Sequence, residues 1–153
     1  MRRLIRKNQS AADSFSATVD IRPSYQDCDP AGVVWHGNYF HYFDTARVAL
    51  LAKLDYGYRQ MEASGYVFPV VDTRVRYLVP ATYDQLIRVS ATLREWEYRL
   101  KIEYEVRDAA DKFVAEAYTI QVAVEIATGE LCIGSPEPLL SRIVRAGLPI
   151  DGI

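Results

Sequence analysis

Apolar and polar residues alternate with a period of two along most of this chain, and one long stretch with helical spacing interrupts them. Ala17, Val19, Ile21 and Tyr25 fall on one face of their segment, with Thr18, Asp20, Arg22 and Ser24 on the other. Ile87, Val89, Ala91 and Leu93 alternate with Arg88, Ser90, Thr92 and Arg94. Tyr98, Leu100, Ile102, Tyr104 and Val106 alternate with Arg99, Lys101, Glu103 and Glu105. Tyr118, Ile120, Val122, Val124 and Ile126 form a further apolar face, and Val71, Thr73, Val75 and Tyr77 a weaker one. Successive side chains of a strand point to opposite faces, so this alternation predicts half-buried strands. Strands with one apolar face suit an antiparallel sheet, because parallel sheets are usually buried on both faces. Polar stretches at 79–85 and 107–112 supply turn residues between the strands, and 127–130 reads as a tight turn into a short last strand at 131–133.

From Asn38 to Leu54 the spacing changes. Phe43, Ala46, Leu50 and Leu54 recur every three to four residues, and Tyr39, Phe40 and Leu51 widen the stripe. This predicts a helix with one broad apolar face. Asn38 is a candidate cap for its first turn. At 1.5 Å per residue the helix is about 25 Å long, a width that a sheet of five or six strands can wrap. A shorter helix is expected at 58–64, ended by Gly65. A sheet with one apolar face and a helix with one apolar stripe must bury against each other. The predicted fold class is therefore α+β, a long central helix wrapped by an antiparallel sheet of five or six strands.

The chain has 153 residues, enough for one domain with a real core. No repeat or linker-like stretch divides it. The expected organisation is a flexible N-terminal tail at 1–16, one domain at 17–135, and a C-terminal tail or short helix at 136–153. A net charge of −2 gives no electrostatic reason to expect nucleic acid as a partner. No apolar run approaches the 18 or more residues of a membrane span. The basic, then polar first residues lack the apolar stretch of a secretory signal, so a cytoplasmic location is expected. Cys28 and Cys132 show neither a CxxC nor a zinc-ligand spacing, so no metal is expected.

The chemistry concentrates between the first strand and the long helix. Asp29 precedes Pro30, which biases it away from helical geometry. Gly32 permits an unusual turn. Val33, Val34 and Trp35 are too apolar for a free loop, and His36 and Gly37 arrive where the helix begins. A helix N-terminus offers unpaired N–H groups and a partial positive charge, which suit a developing oxyanion. A carboxylate beside such a helix end can attack a carbonyl or activate a water. The plain alternatives are that Asp29 forms an Asx turn and that His36 caps the helix. Asp27, His41 and Asp44 are weaker candidates, and Asp44 and Arg47 are spaced to pair with each other.

The run DCDPAGVVWHGNYFHYFDTAR, from Asp27 to Arg47, closely resembles the signature of the 4-hydroxybenzoyl-CoA thioesterase family of hotdog-fold acyl-CoA thioesterases. The stretches VPATYDQLIRV and EWEYRLKIEYEV add to the likeness, which spans residues 17–134. The resemblance implies the same helix-in-sheet fold that the periodicities predict. It further implies homodimers or homotetramers with active sites at the dimer interface, and hydrolysis of an acyl-CoA. It matches Asp29 to the catalytic carboxylate and His36 to the helix-start residue whose amide polarises the thioester carbonyl. Gly37, Tyr25 and Tyr39 are substrate-binding candidates. No cofactor is implied beyond the coenzyme A of the substrate. His36 resembles the short-chain and Tol-Pal-associated members, whereas DCDPAG and VVW resemble the hydroxybenzoyl members. Two alternatives stand beside this reading: a hotdog hydratase or dehydratase, and a non-catalytic acyl-CoA or partner-binding module.

Overall fold

The computed structural model describes residues 15–151, so the first fourteen residues of the expected N-terminal tail lie outside the described residues. Strand β1 (Ser16–Ile21) leads through the loop of Asp29 to helix α1 (Tyr39–Lys53) and helix α2 (Tyr58–Ala63). The strands β2 (Tyr66–Val67), β3 (Val70–Tyr77), β4 (Ile87–Glu95), β5 (Leu100–Asp108), β6 (Phe113–Gln121) and β7 (Val124–Glu125) follow, and helix α3 (Glu137–Arg145) ends the chain. Five strands form one antiparallel sheet in the order β1-β4-β5-β6-β3. β2 and β7 pair separately.

Helix α1 crosses the concave face of this sheet, packing on β1 and β4 and reaching β5 through the rings of Phe43 and Tyr104, 4.9 Å apart. Phe43, Ala46, Leu50 and Leu51 are buried, and so are the inward residues Ile87, Val89, Ala91 and Leu93 of β4 and Leu100, Ile102, Tyr104 and Val106 of β5. Removing each large apolar side chain from water is worth about 1.5–3 kcal/mol. This interface therefore holds the helix in place more firmly than its intrinsic propensity does. The polar connections expected at 79–85 and 107–112 each place an aspartate in the left-handed region, Asp84 (φ 61°) and Asp111 (φ 64°); the second closes the β5–β6 hairpin, whereas the first joins β3 to β4, which are not neighbours in the sheet. Asp tolerates that region better than most residues.

Four local expectations are corrected. β1 ends at Ile21, and Tyr25 belongs to a 3-10 turn (Tyr25–Asp27) rather than to the strand face. β5 starts at Leu100, which leaves Tyr98 exposed in the turn before it. The core-facing residues of β6 are Ala115, Ala117, Thr119 and Gln121, opposite Val106, Tyr104, Ile102 and Leu100; Tyr118 and Ile120 lie on the outer face. The strand stops at Gln121, and only Val124 and Glu125 resume pairing, with β2. The short strand expected at 131–133 is reduced to one bridge between Val124 and Leu131, and Ile133 is 96% exposed. The C-terminal segment carries α3, whose Leu139 and Ile143 are fully buried in the same core.

Candidate active site

The loop from Ser24 to Asn38 is shaped almost entirely by its own hydrogen bonds. Asp29 N donates to Val33 O (2.8 Å) and Gly32 N to Asp29 O (2.9 Å), which closes a tight turn. Gly32 sits at φ 82°, a conformation that costs other residues strain. The Asx turn foreseen for Asp29 is present, with Ala31 N donating to its Oδ1 at 2.9 Å. That bond orients the carboxylate without using Oδ2. Val34 N donates to Ala81 O (2.8 Å), and Val33 bridges Thr82, so the loop is stitched to the 80–85 connection. Val34 is buried as expected, whereas Trp35 is half-exposed, its ring 5.0 Å from that of His36.

At the far end of the loop, His36–Asn38 form a 3-10 turn that runs directly into α1. Its first bond is Asn38 N to Trp35 O, 2.9 Å. The amides of His36 and Gly37 precede that bond and have no acceptor within the turn. Asn38 does not cap the helix through its side chain; its Nδ2 donates instead to Asp27 O at 2.7 Å. Asn38 does stand at the N-cap position, but its backbone is helical (φ −71°, ψ −17°) rather than extended, which removes the geometry a capping side chain needs. Gly37 has its own steric reason, since a Cβ at this position would overlap the Trp35 indole.

Asp29 and His36 border one cavity of about 270 Å³, which Tyr39, Tyr77 and Val79 also line. Tyr77, on β3, donates from its hydroxyl to His36 O at 2.7 Å, and its ring meets that of Tyr39 edge-on at 5.1 Å. Burial pushes the Tyr39 and Tyr77 hydroxyls up from their ordinary value, so both stay protonated at neutral pH, the Tyr77 proton being held by the bond to His36 O. Tyr25 is 81% exposed and does not join this cavity; it borders a second one, of about 370 Å³, with Tyr83 on the other side of Asp29. Gly37 lines neither cavity, and its contribution is its backbone. Asp44 and Arg47 do pair (2.9 Å), and Arg47 also donates to Tyr58 Oη at 2.6 Å, which turns that pair away from Asp29. Tyr77 was not among the sequence candidates. Its place on the inward face of β3 was legible, but its contact with His36, 41 residues distant, is a product of the fold.

Among the described residues no group of three or more His, Cys, Asp and Glu could hold a metal ion, and no helix is long and apolar enough to cross a membrane.

Comparison with known proteins gives this geometry a family. The model of the thioesterase-like superfamily matches residues 23–144. The acyl-CoA thioesterase YbgC of Haemophilus influenzae is 30% identical over 104 residues, 67% of this chain and 76% of that protein. The 4-hydroxybenzoyl-CoA thioesterase of Pseudomonas sp. is 31% identical over 84 residues, 53% of this chain and 60% of its own. Among solved structures, a DHNA-CoA thioesterase from Staphylococcus aureus superposes with a TM-score of 0.72 at 25% identity, over 77% of this chain and 80% of that one. With its long helix held in a five-stranded antiparallel sheet, the chain has the hotdog fold and belongs to the thioesterase-like superfamily.

Proposed function

We propose that this protein hydrolyses the thioester bond of an acyl-CoA, releasing a free acid and coenzyme A, with Asp29 as the reacting carboxylate. The observation that carries the reading is that Asp29 and the start of the helix at His36 border one cavity. The substrate carbonyl sits between them. The amides of His36 and Gly37 receive the negative charge that develops on its oxygen. Asp29 acts in one of two ways. As a general base it takes a proton from water while the hydroxyl attacks the carbonyl carbon. As a nucleophile it forms a mixed anhydride that water then opens. In both, the tetrahedral intermediate collapses by breaking the C–S bond, and the departing thiolate takes up a proton. Neither route calls on a metal or redox group.

The acyl group we expect is aromatic, as in 4-hydroxybenzoyl-CoA, or short-chain. The names of the relatives support both classes. The family resemblance and the exposed edge of β3 support a homodimer or homotetramer with the site near the interface. An acyl-CoA substrate supports the cytoplasmic location expected from the sequence.

The test is thiol release from benzoyl-, hydroxybenzoyl-, short-chain and long-chain CoA thioesters, by wild type and by Asp29→Asn. The expected result is hydrolysis of one class, with kcat lowered by about 10²–10⁴ in the folded variant. An unaffected variant overturns the role of Asp29. Binding without hydrolysis across the whole panel replaces the enzyme with an acyl-CoA-binding module. After a single turnover in ¹⁸O-water, label in the Asp29 carboxylate establishes the nucleophilic route, with water opening the anhydride at the Asp29 carbonyl; label in the product acid alone is the outcome of the general-base route and of anhydride opening at the acyl carbon.

A further inference from the structure

Asp27 is not expected to touch substrate, yet it makes more hydrogen bonds than any other residue of the loop. Its Oδ2 accepts from Ser24 N (3.0 Å) and from Tyr42 Oη (2.8 Å). Its carbonyl accepts from Trp35 N (2.9 Å) and from Asn38 Nδ2 (2.7 Å). These four bonds join the beginning of the loop, its end and the buried body of α1 at one residue. Asp29 lies two residues after Asp27, and His36 follows Trp35 directly. The partner on the helix is itself fixed, since Tyr42 is buried and its ring packs edge-on against Tyr39 at 5.8 Å.

We propose that Asp27 and Tyr42 form a positioning clamp that sets the spacing between the Asp29 carboxylate and the His36 amide. The proposal rests on the hydrolytic reading above for what that spacing does. Its physical basis is preorganisation. A nucleophile and an oxyanion donor on the two arms of one loop keep their separation only if the arms are tied, and a misplacement of about 1 Å costs about 10²-fold in rate. The electrostatics keep the tie closed. Burial acts to raise the Asp27 carboxyl, but the bonds from Tyr42 and Ser24 outweigh it and hold the group below its ordinary value. Burial and the neighbouring Asp27 push the Tyr42 hydroxyl far up, so it remains a donor to an ionised acceptor.

Tyr42→Phe deletes the bond and keeps the ring. Two readouts decide. Hydrogen exchange at the Trp35 amide, which bonds Asp27 O, should quicken at least tenfold in the variant while amides of β4 and β5 keep their wild-type protection. In thiol-release kinetics on the best substrate, kcat should fall about 10- to 100-fold with KM within threefold. In an Asp29→Asn background the same substitution should change the residual rate less than twofold, because the residue to be positioned is already disabled. A merely structural role would lower both rates alike. Asp27→Asn combined with Tyr42→Phe should lose less than the sum of the two single losses, because both disturb the same Tyr42 bond while Asp27 also holds Ser24 N. Unchanged exchange at Trp35, unchanged kcat, or an equal loss in the Asp29→Asn background overturns the clamp. A wild type that releases no thiol overturns the hydrolytic reading instead, and the exchange at Trp35 then decides by itself whether the clamp holds the loop.

Discussion

In the proposed reaction Asp29 and His36 contribute different parts of themselves. Asp29 offers a carboxylate oriented by Ala31 N through Oδ1, and His36 offers its main chain at the start of a 3-10 turn. The His36 carbonyl is held by Tyr77, so the peptide is anchored whatever the imidazole does. His36→Ala keeps the amide, the turn and the Tyr77 bond. Its kcat/KM is expected within about tenfold of wild type, against the 10²–10³ that follows loss of an oxyanion donor itself. Steady-state kinetics on the best substrate checks this, and a larger drop would assign the imidazole a direct role. The residues Asp29 and His36 were legible in the sequence because the motif that carries them is contiguous. Tyr42 and Tyr77 were not: Tyr42 fell outside the apolar stripe read from the sequence although it is buried, and the strand face of Tyr77 shows only which way it points. Which loop atom each hydroxyl meets depends on how the loop closes around Asp27.

At the scale of elements, β4 and β5 declared themselves because each alternates a strongly apolar face with a polar one, and α1 through the three-to-four-residue spacing of Phe43, Ala46, Leu50 and Leu54. β6 misled for a physical reason. Its core face is Ala115, Ala117, Thr119 and Gln121, the least apolar-looking row in the strand, while Tyr118 and Ile120 lie outside. The sheet brings Ala117 directly opposite Tyr104, whose ring stacks on Phe43 of the helix, and opposite Val75 on its other side. Large neighbours on both flanks leave room only for a methyl group. The pattern of volume, not of hydropathy, therefore marks the inward face. Ala117→Leu improves the apparent hydrophobic alternation, yet it should destabilise the protein by about 1–3 kcal/mol, the usual cost of overpacking. Chemical denaturation measures it; a variant as stable as wild type would mean that the concave face has slack there.

For the molecule as a whole, the decisive asymmetry is between its two kinds of exposed sheet surface. The outer face is laced with charge: Arg94 pairs with the nearly buried Glu103 at 2.9 Å, and Lys101 lies 4.9 Å over the Tyr118 ring. The free edge at β3 is different. Among the described residues β3 pairs only with β6, and Val70, Val71 and Tyr77 along it are exposed, with Leu78 and Val79 just beyond. An exposed strand edge invites pairing with another strand, and lysine is a common device for blocking it. A second copy meeting this edge would extend the sheet and bring its own residues near Tyr77, which holds His36. Val70→Lys with Val71→Lys should therefore convert the proposed homodimer or homotetramer to a monomer in light scattering after size exclusion. Circular dichroism should be unchanged, because neither side chain belongs to the core. Hydrolysis should fall with the oligomer, since Tyr77 then loses the support of the second copy. An oligomer that survives both lysines would place the interface elsewhere. A monomer with full activity would show that one chain carries a complete site.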